Sequence, residues 1–223
     1  MILRHRIINP MAEIYKHLAI SILFMFIGFF IGKEFLPVSF VYLANKILMF
    51  FMLFLLLTAI FSRKSIIPRS FSMNFVYVFT FIDGILMYPI LSYYLQSLGT
   101  DIVINVLIGA IILFALLAFI SHKKDAGHFL SLGPTLFASS LALLVVCIVN
   151  IFIGSSVTNL IISIVGLVIF SAYVLYDISL IKYDISMGNI VDKNDLSIHV
   201  LNLYVDFINI LLDLLNIVDR FND

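Results

Sequence analysis

The chain is poor in charge. Only 12% of its 223 residues are Asp, Glu, Lys or Arg, where a soluble domain carries about 25%. It also lacks a net charge, with 13 basic and 13 acidic residues, so no global basic field points to nucleic acid as a partner. Cysteine is reduced to Cys147, which excludes an internal disulfide framework and reads as a packing residue in an apolar run. Catalytic signatures are missing too. His5, His17, His122, His128 and His199 fall near the ends of apolar stretches or in loops, without the His-x-x-x-His spacing of a metalloprotease. No Gly-x-Ser-x-Gly elbow marks a serine hydrolase. An enzyme and a resident cofactor are therefore not expected.

What the chain has in excess is apolar surface. Hydrophobic residues make up 63% and mean hydropathy is +1.17. A soluble fold cannot hide this much, because roughly half of a small domain's surface faces water whatever its fold. Lipid is the solvent these numbers imply. A helical span needs about 20 apolar residues, and seven stretches qualify: 17–36, 39–61, 71–93, 102–121, 131–153, 157–181 and 197–218. Helix is the form that satisfies its own backbone in lipid, and the runs are too long for barrel strands of about 10 alternating residues. The sequence therefore predicts an all-α integral membrane protein, 1–223 forming a single seven-span domain. Pro68 and Pro134 sit at expected helix starts, Pro37 lies between the first two spans, and Pro89 is placed to kink or end the third. Arg4, Arg6 and Lys16 precede the first run as in a signal peptide. No Ala-x-Ala-like site follows, so this run reads as a retained span.

Basic residues set an orientation. With the N-terminus cytoplasmic, ten of them (Arg4, Arg6, Lys16, Arg63, Lys64, Arg69, Lys123, Lys124, Lys182 and Lys193) fall inside, and three (Lys33, Lys46 and Arg220) outside. This predicts a plasma-membrane protein with its C-terminus outside.

Against this background a few carboxylates stand out. Asp83, Asp206 and Asp213 lie within apolar runs, where an ionised side chain costs about 2.5–3.5 kcal/mol near the bilayer centre. On the last span, Asn202, Asp206, Asn209, Asp213 and Asn216 are spaced by 4, 3, 4 and 3, the signature of one helix face. A helix enclosed by protein and lining a hydrated path has this pattern. A helix lying on the membrane surface would carry basic residues on its polar face, and here none occurs before Arg220. Asp177 falls about 30 Å into the sixth span and Asp206 about 14 Å into the seventh. With Arg63 at the inner end of the second span, their depths are compatible with a meeting in the cytoplasmic half.

The segments Ser171-Ala172-Tyr173-Val174-Leu175-Tyr176-Asp177 and Leu203-Tyr204-Val205-Asp206-Phe207-Ile208-Asn209 resemble the paired signatures that close the Bax inhibitor-1 family. That family is also called the transmembrane Bax inhibitor motif or lifeguard family, and it includes bacterial YccA- and YetJ-like members. Phe75 to Gly84 resembles its third span, with Asp83 in the place of an acidic residue. The resemblance implies a bundle of six helices around a central seventh, C-terminal one. It implies a pH-sensitive calcium leak in which Asp177 and Asp206 form a hydrogen-bonded pair that binds calcium transiently. It also implies a latch to an arginine on the second span, Arg63 ahead of Arg69. Asp83, Asn202, Asn209 and Asp213 are then candidates for lining the path. The expected surroundings are the lipid bilayer of a bacterial inner membrane and calcium as permeant ion. Two other classes stay open: a non-channel regulator that binds a membrane protease or a cell-death or stress partner, and a proton-coupled transporter using buried carboxylates as a relay.

Overall fold

In the computed structural model of the chain, residues 9–47 and 72–222 are described. Among them every regular element is helical, with no strand. Residues 48–71 lie outside the described residues, and with them most of the expected 39–61 span, Arg63, Arg69 and Pro68. Six of the described helices are long and apolar enough to cross a membrane.

Helix α1 runs Pro10–Phe35. It starts seven residues before the apolar run because a cap, not hydropathy, sets its end. The Asn9 side chain accepts from the Ala12 N–H at 3.2 Å, and Pro10 occupies the first turn, where no N–H is missed. Helix α2 is described over 38–47. Helix α3, Met73–Ser97, carries Pro89 in its interior and continues two turns past it, so the proline does not end the helix. Helix α4 spans Thr100–Lys123. A short 3-10 turn, Leu130–Leu132, leads into α5, Gly133–Ile153, with Pro134 in its first turn as its position implied. Helix α5 stops at Gly154, whose φ of +68° and N–H donation to the Asn150 carbonyl at 2.7 Å make a left-handed cap that favours glycine.

Helix α6, Ser156–Ser186, is capped by the Ser155 side chain, which accepts from the Thr158 N–H at 3.2 Å. Its 31 residues reach about 46 Å, beyond a hydrocarbon core of about 30 Å. The end of α6 therefore runs past the apolar run that stops at 181. There Lys182 donates to the carbonyls of Ser121 (3.5 Å), His122 (2.8 Å) and Lys124. A cation closing the carbonyl end of α4 ties the two helices together. Helix α7 spans Ser197–Asn222. Of its most apolar stretch 56% is buried, against 11% for that of Leu130–Ile153, which contains α5.

Contacts group the chain into two units, Met1–Tyr93 with Val191–Val200, and Tyr94–Ile190 with Leu201–Asp223. The boundaries after Tyr93 and Val200 fall inside helices α3 and α7, and the one after Ile190 falls in the connection between α6 and α7. In the first unit, α1 and α3 meet backbone to backbone. A Cβ on Gly28 would overlap the Phe81 carbonyl oxygen, and one on Gly84 would overlap the Met25 carbonyl oxygen. Glycine pairs of this kind allow the close approach that holds helices together in lipid. The Tyr88 hydroxyl donates to the Leu36 carbonyl at 2.7 Å, and Asn45 donates to the Leu86 carbonyl at 2.8 Å. In the second unit, α6 packs against both α4 and α5. The Phe114 and Phe207 rings meet edge to face at 5.9 Å, joining α4 to α7.

Candidate functional site

The two closing signatures come together. Asp177 on α6 and Asp206 on α7 are 5% and 4% exposed, and their carboxyl groups lie close enough to interact directly. Asn202, one turn before Asp206, also lies beside Asp177. Two carboxyl groups share a hydrogen bond only when one of them carries a proton, since a carboxylate has no donor. The second Asp206 oxygen, Oδ2, is buried without a hydrogen-bond partner among the described residues, which makes it a high-energy group in a buried site.

Local structure fixes the geometry. Ser121 Oγ donates to the Leu175 carbonyl at 2.8 Å, and the Phe129 N–H donates to Ser179 Oγ at 3.0 Å. These bonds hold α6 in place on both sides of Asp177. The pair borders a cavity of about 390 Å³, lined also by Ser140, Phe170, Tyr173, Tyr176 and Asn202. Ser140 Oγ donates to the Tyr173 hydroxyl at 3.2 Å, so this serine links α5 to α6 as helix–helix glue.

The α6–α7 seam follows one antiparallel register. Asn202 meets Asp177, and Asn216 donates to Ser163 Oγ at 2.7 Å. The step is fourteen residues on each helix, close to four turns. Between them Gly166 lies against the Asp213 carboxyl, where a Cβ would fall 2.5 Å from Oδ2. Ser163, one turn before Gly166, lies near the same carboxyl. Asn209 shares the polar stripe, but its amide donates to the Val205 carbonyl of its own helix at 2.8 Å. Asp83 sits half-buried on α3 in the first unit. Arg63, expected as the latch, lies outside the described residues.

Two features escaped the sequence reading. Ser163, Gly166, Phe170, Tyr173 and Asp177 repeat on α6 the 3-and-4 spacing of the α7 stripe, a legible signal hidden by residues that are not conventionally polar. The other is His17. It is 2% exposed, its Nδ1 is hydrogen-bonded to the Tyr77 hydroxyl, and its Nε2 lies 3.5 Å from Glu13. No sequence signal separated it from the other histidines.

Comparison with known proteins places this arrangement. Residues 8–223 match the family described as inhibitor of apoptosis-promoting Bax1. An uncharacterized protein of Helicobacter pylori (strain J99) is 24% identical over 213 residues, which is 94% of this chain and 85% of that protein. An uncharacterized protein of Campylobacter jejuni is 32% identical over 151 residues, 65% of this chain and 59% of that protein. An uncharacterized membrane protein of Vibrio cholerae is 31% identical over 148 residues, covering 65% of each. The match thus spans less than two thirds of the length of the last two.

Proposed function

This chain belongs to the family of inhibitors of apoptosis-promoting Bax1, and from that premise we propose that it is a pH-sensitive passive leak for cations, calcium foremost, gated by the Asp177–Asp206 pair. The observation that carries this reading is a pair of carboxyl groups buried on two helices long and apolar enough to cross a membrane, both lining one cavity. Such a pair holds one proton and one negative charge. Acid adds a second proton and neutralises it; base removes the shared proton and leaves two like charges side by side. Base thus removes the only donor of the bond between α6 and α7, and acid removes the negative charge that a cationic partner holds.

Carboxylate and amide oxygens are the ligands calcium accepts, so Asp177, Asp206 and Asn202 serve as a transient stop for a passing ion. In this reading Arg63 latches onto the charged pair from the cytoplasmic side, and acidification releases it and raises the open population. The same protonation removes cation ligands, so flux passes through a maximum as pH falls. The site works without a catalytic step, in a bacterial plasma membrane with the N-terminus cytoplasmic.

Calcium flux into liposomes holding the purified protein tests this across a pH series. The expected result is a pH-dependent leak in the wild type and a pH-independent one in the Asp177→Asn/Asp206→Asn variant. Equal leak in both at every pH would overturn the gating role. Absence of flux with co-purification of a membrane protease would favour a regulator instead.

A further inference from the structure

The α6–α7 seam holds a second polar site, separate from the aspartate pair. A chain of hydrogen bonds runs across three helices. Asn150 on α5 donates to the Asn159 side-chain oxygen at 2.5 Å. Asn216 on α7 donates to the Asn159 carbonyl at 3.4 Å and to Ser163 Oγ at 2.7 Å. The chain ends at Ser163, near the Asp213 carboxyl, which lies against Gly166. Asn150 and Ser163 are 5% and 4% exposed. Asp213 Oδ2 is buried with no hydrogen-bond partner among the described residues. At the other end Asn150 and Asn159 line a cavity of about 440 Å³, together with Cys147 and Gly154.

We propose that Asp213, with Ser163, Asn159 and Asn216, forms a second station for a hydrated divalent cation. This deepens the leak reading and rests on it. A buried carboxylate oxygen without a donor is costly, and a proton or a cation relieves that cost. A proton needs one acceptor and no space. This site offers several side-chain and backbone oxygens, and one of its residues, Asn159, lines the cavity; an ion keeping part of its water requires such a donor set and such room. Gly166 supplies the gap that the carboxyl occupies. Seven residues separate Asp213 from Asp206, or about 10 Å along the helix, too far for one ion with ligands at about 2.5 Å. Asn209, between them, is turned to its own backbone, so in this conformation the two stations are not joined through its amide.

Calcium binding to the full chain in nanodiscs tests the proposal. The expected result is that Asp213→Asn binds one calcium fewer than the wild type, while its liposome flux keeps its dependence on pH. Unchanged stoichiometry, or no calcium bound by the wild type, overturns the second station. Loss of pH dependence in Asp177→Asn/Asp206→Asn would still uphold the leak reading in either case. Gly166→Ala gives an independent check, because its methyl group displaces the carboxyl end of a side chain and not backbone. It is expected to weaken the same site about tenfold or more, the scale of lost support around a metal. Unaltered calcium affinity in Gly166→Ala counts against the proposal. Cys147 provides a local reporter: calcium is expected to slow its modification by a water-soluble thiol reagent in the wild type and to have no effect in Asp213→Asn. Equal protection in both would overturn the assignment to Asp213.

Discussion

The α1–α3 contact and the α6–α7 seam solve the same problem by opposite means. Both join two long helices in lipid, where apolar burial between helices gives little driving force. The first uses absence: Gly28 and Gly84 have no side chains, and backbone meets backbone. The second uses polar groups matched in register, Asn202 with Asp177, Gly166 with Asp213 and Asn216 with Ser163. A backbone contact is insensitive to pH and ions. A seam of carboxyls and amides is sensitive to both. The contrast separates a contact that can only hold from one that can also respond.

Breaking the first contact gives the largest expected effect on stability. Gly84→Leu drives a side chain into the Met25 backbone. Overpacking costs about 1–3 kcal/mol where neighbours can yield, and backbone cannot, so a loss of about 3 kcal/mol or more is expected in detergent melting. A wild-type melting point would show that Gly84 does not meet the Met25 backbone.

Breaking the second contact is expected to cost less stability and more response. Asp206→Ala leaves Asp177 buried without its partner, a loss of about 1–3 kcal/mol. Adding Asp177→Ala should cost less than the sum of the singles, since neither group is then left alone. The pH dependence of calcium flux should disappear in all three. If instead Gly84→Leu, once folded, lost pH dependence while Asp206→Ala kept it, the contrast between the two contacts would be inverted.

A smaller effect sharpens the comparison from the other side. Tyr88→Phe removes the bond to the Leu36 carbonyl within the first unit. About 1 kcal/mol of stability is expected to go, with the pH profile of flux unchanged. A shifted profile would mean that the first unit takes part in the response.

Much of this was legible in the sequence, for reasons that differ by level. Helix positions followed from apolar length, because lipid leaves the backbone no alternative. Ends were less legible: α1 begins at Pro10 because Asn9 caps it, and hydropathy does not register a cap. The Asp177–Asp206 meeting was implied by the resemblance of two segments to a family's paired signatures, while depth along the helices allowed it without requiring it. His17 could not, since its partner Tyr77 is sixty residues away and nothing in either neighbourhood requires the other. Gly166 was hidden in another way: it fits the 3-and-4 spacing of Ser163, Tyr173 and Asp177, but a glycine counts toward a polar face only once the side chain that fills its gap, Asp213, is known.

The smallest expected effect lies at Asn209, and it tests how far the polar stripe is a path in this conformation. By spacing alone Asn209 belongs with Asp206 and Asp213. Its amide nevertheless donates to Val205, one turn back on the same helix, and it bridges neither station. Asn209→Ala loses that local bond and gains helix propensity of about 0.5 kcal/mol, so stability should move by no more than about 0.5 kcal/mol in melting experiments. Resting flux should stay at the wild-type level, because the closed seam does not use the amide. Flux in the acid-opened state should fall if opening turns Asn209 into the seam, where its oxygen would sit between the two stations. A variant equal to wild type in both states would make the stripe two separate sites on one helix face. A drop confined to the open state would make it one route.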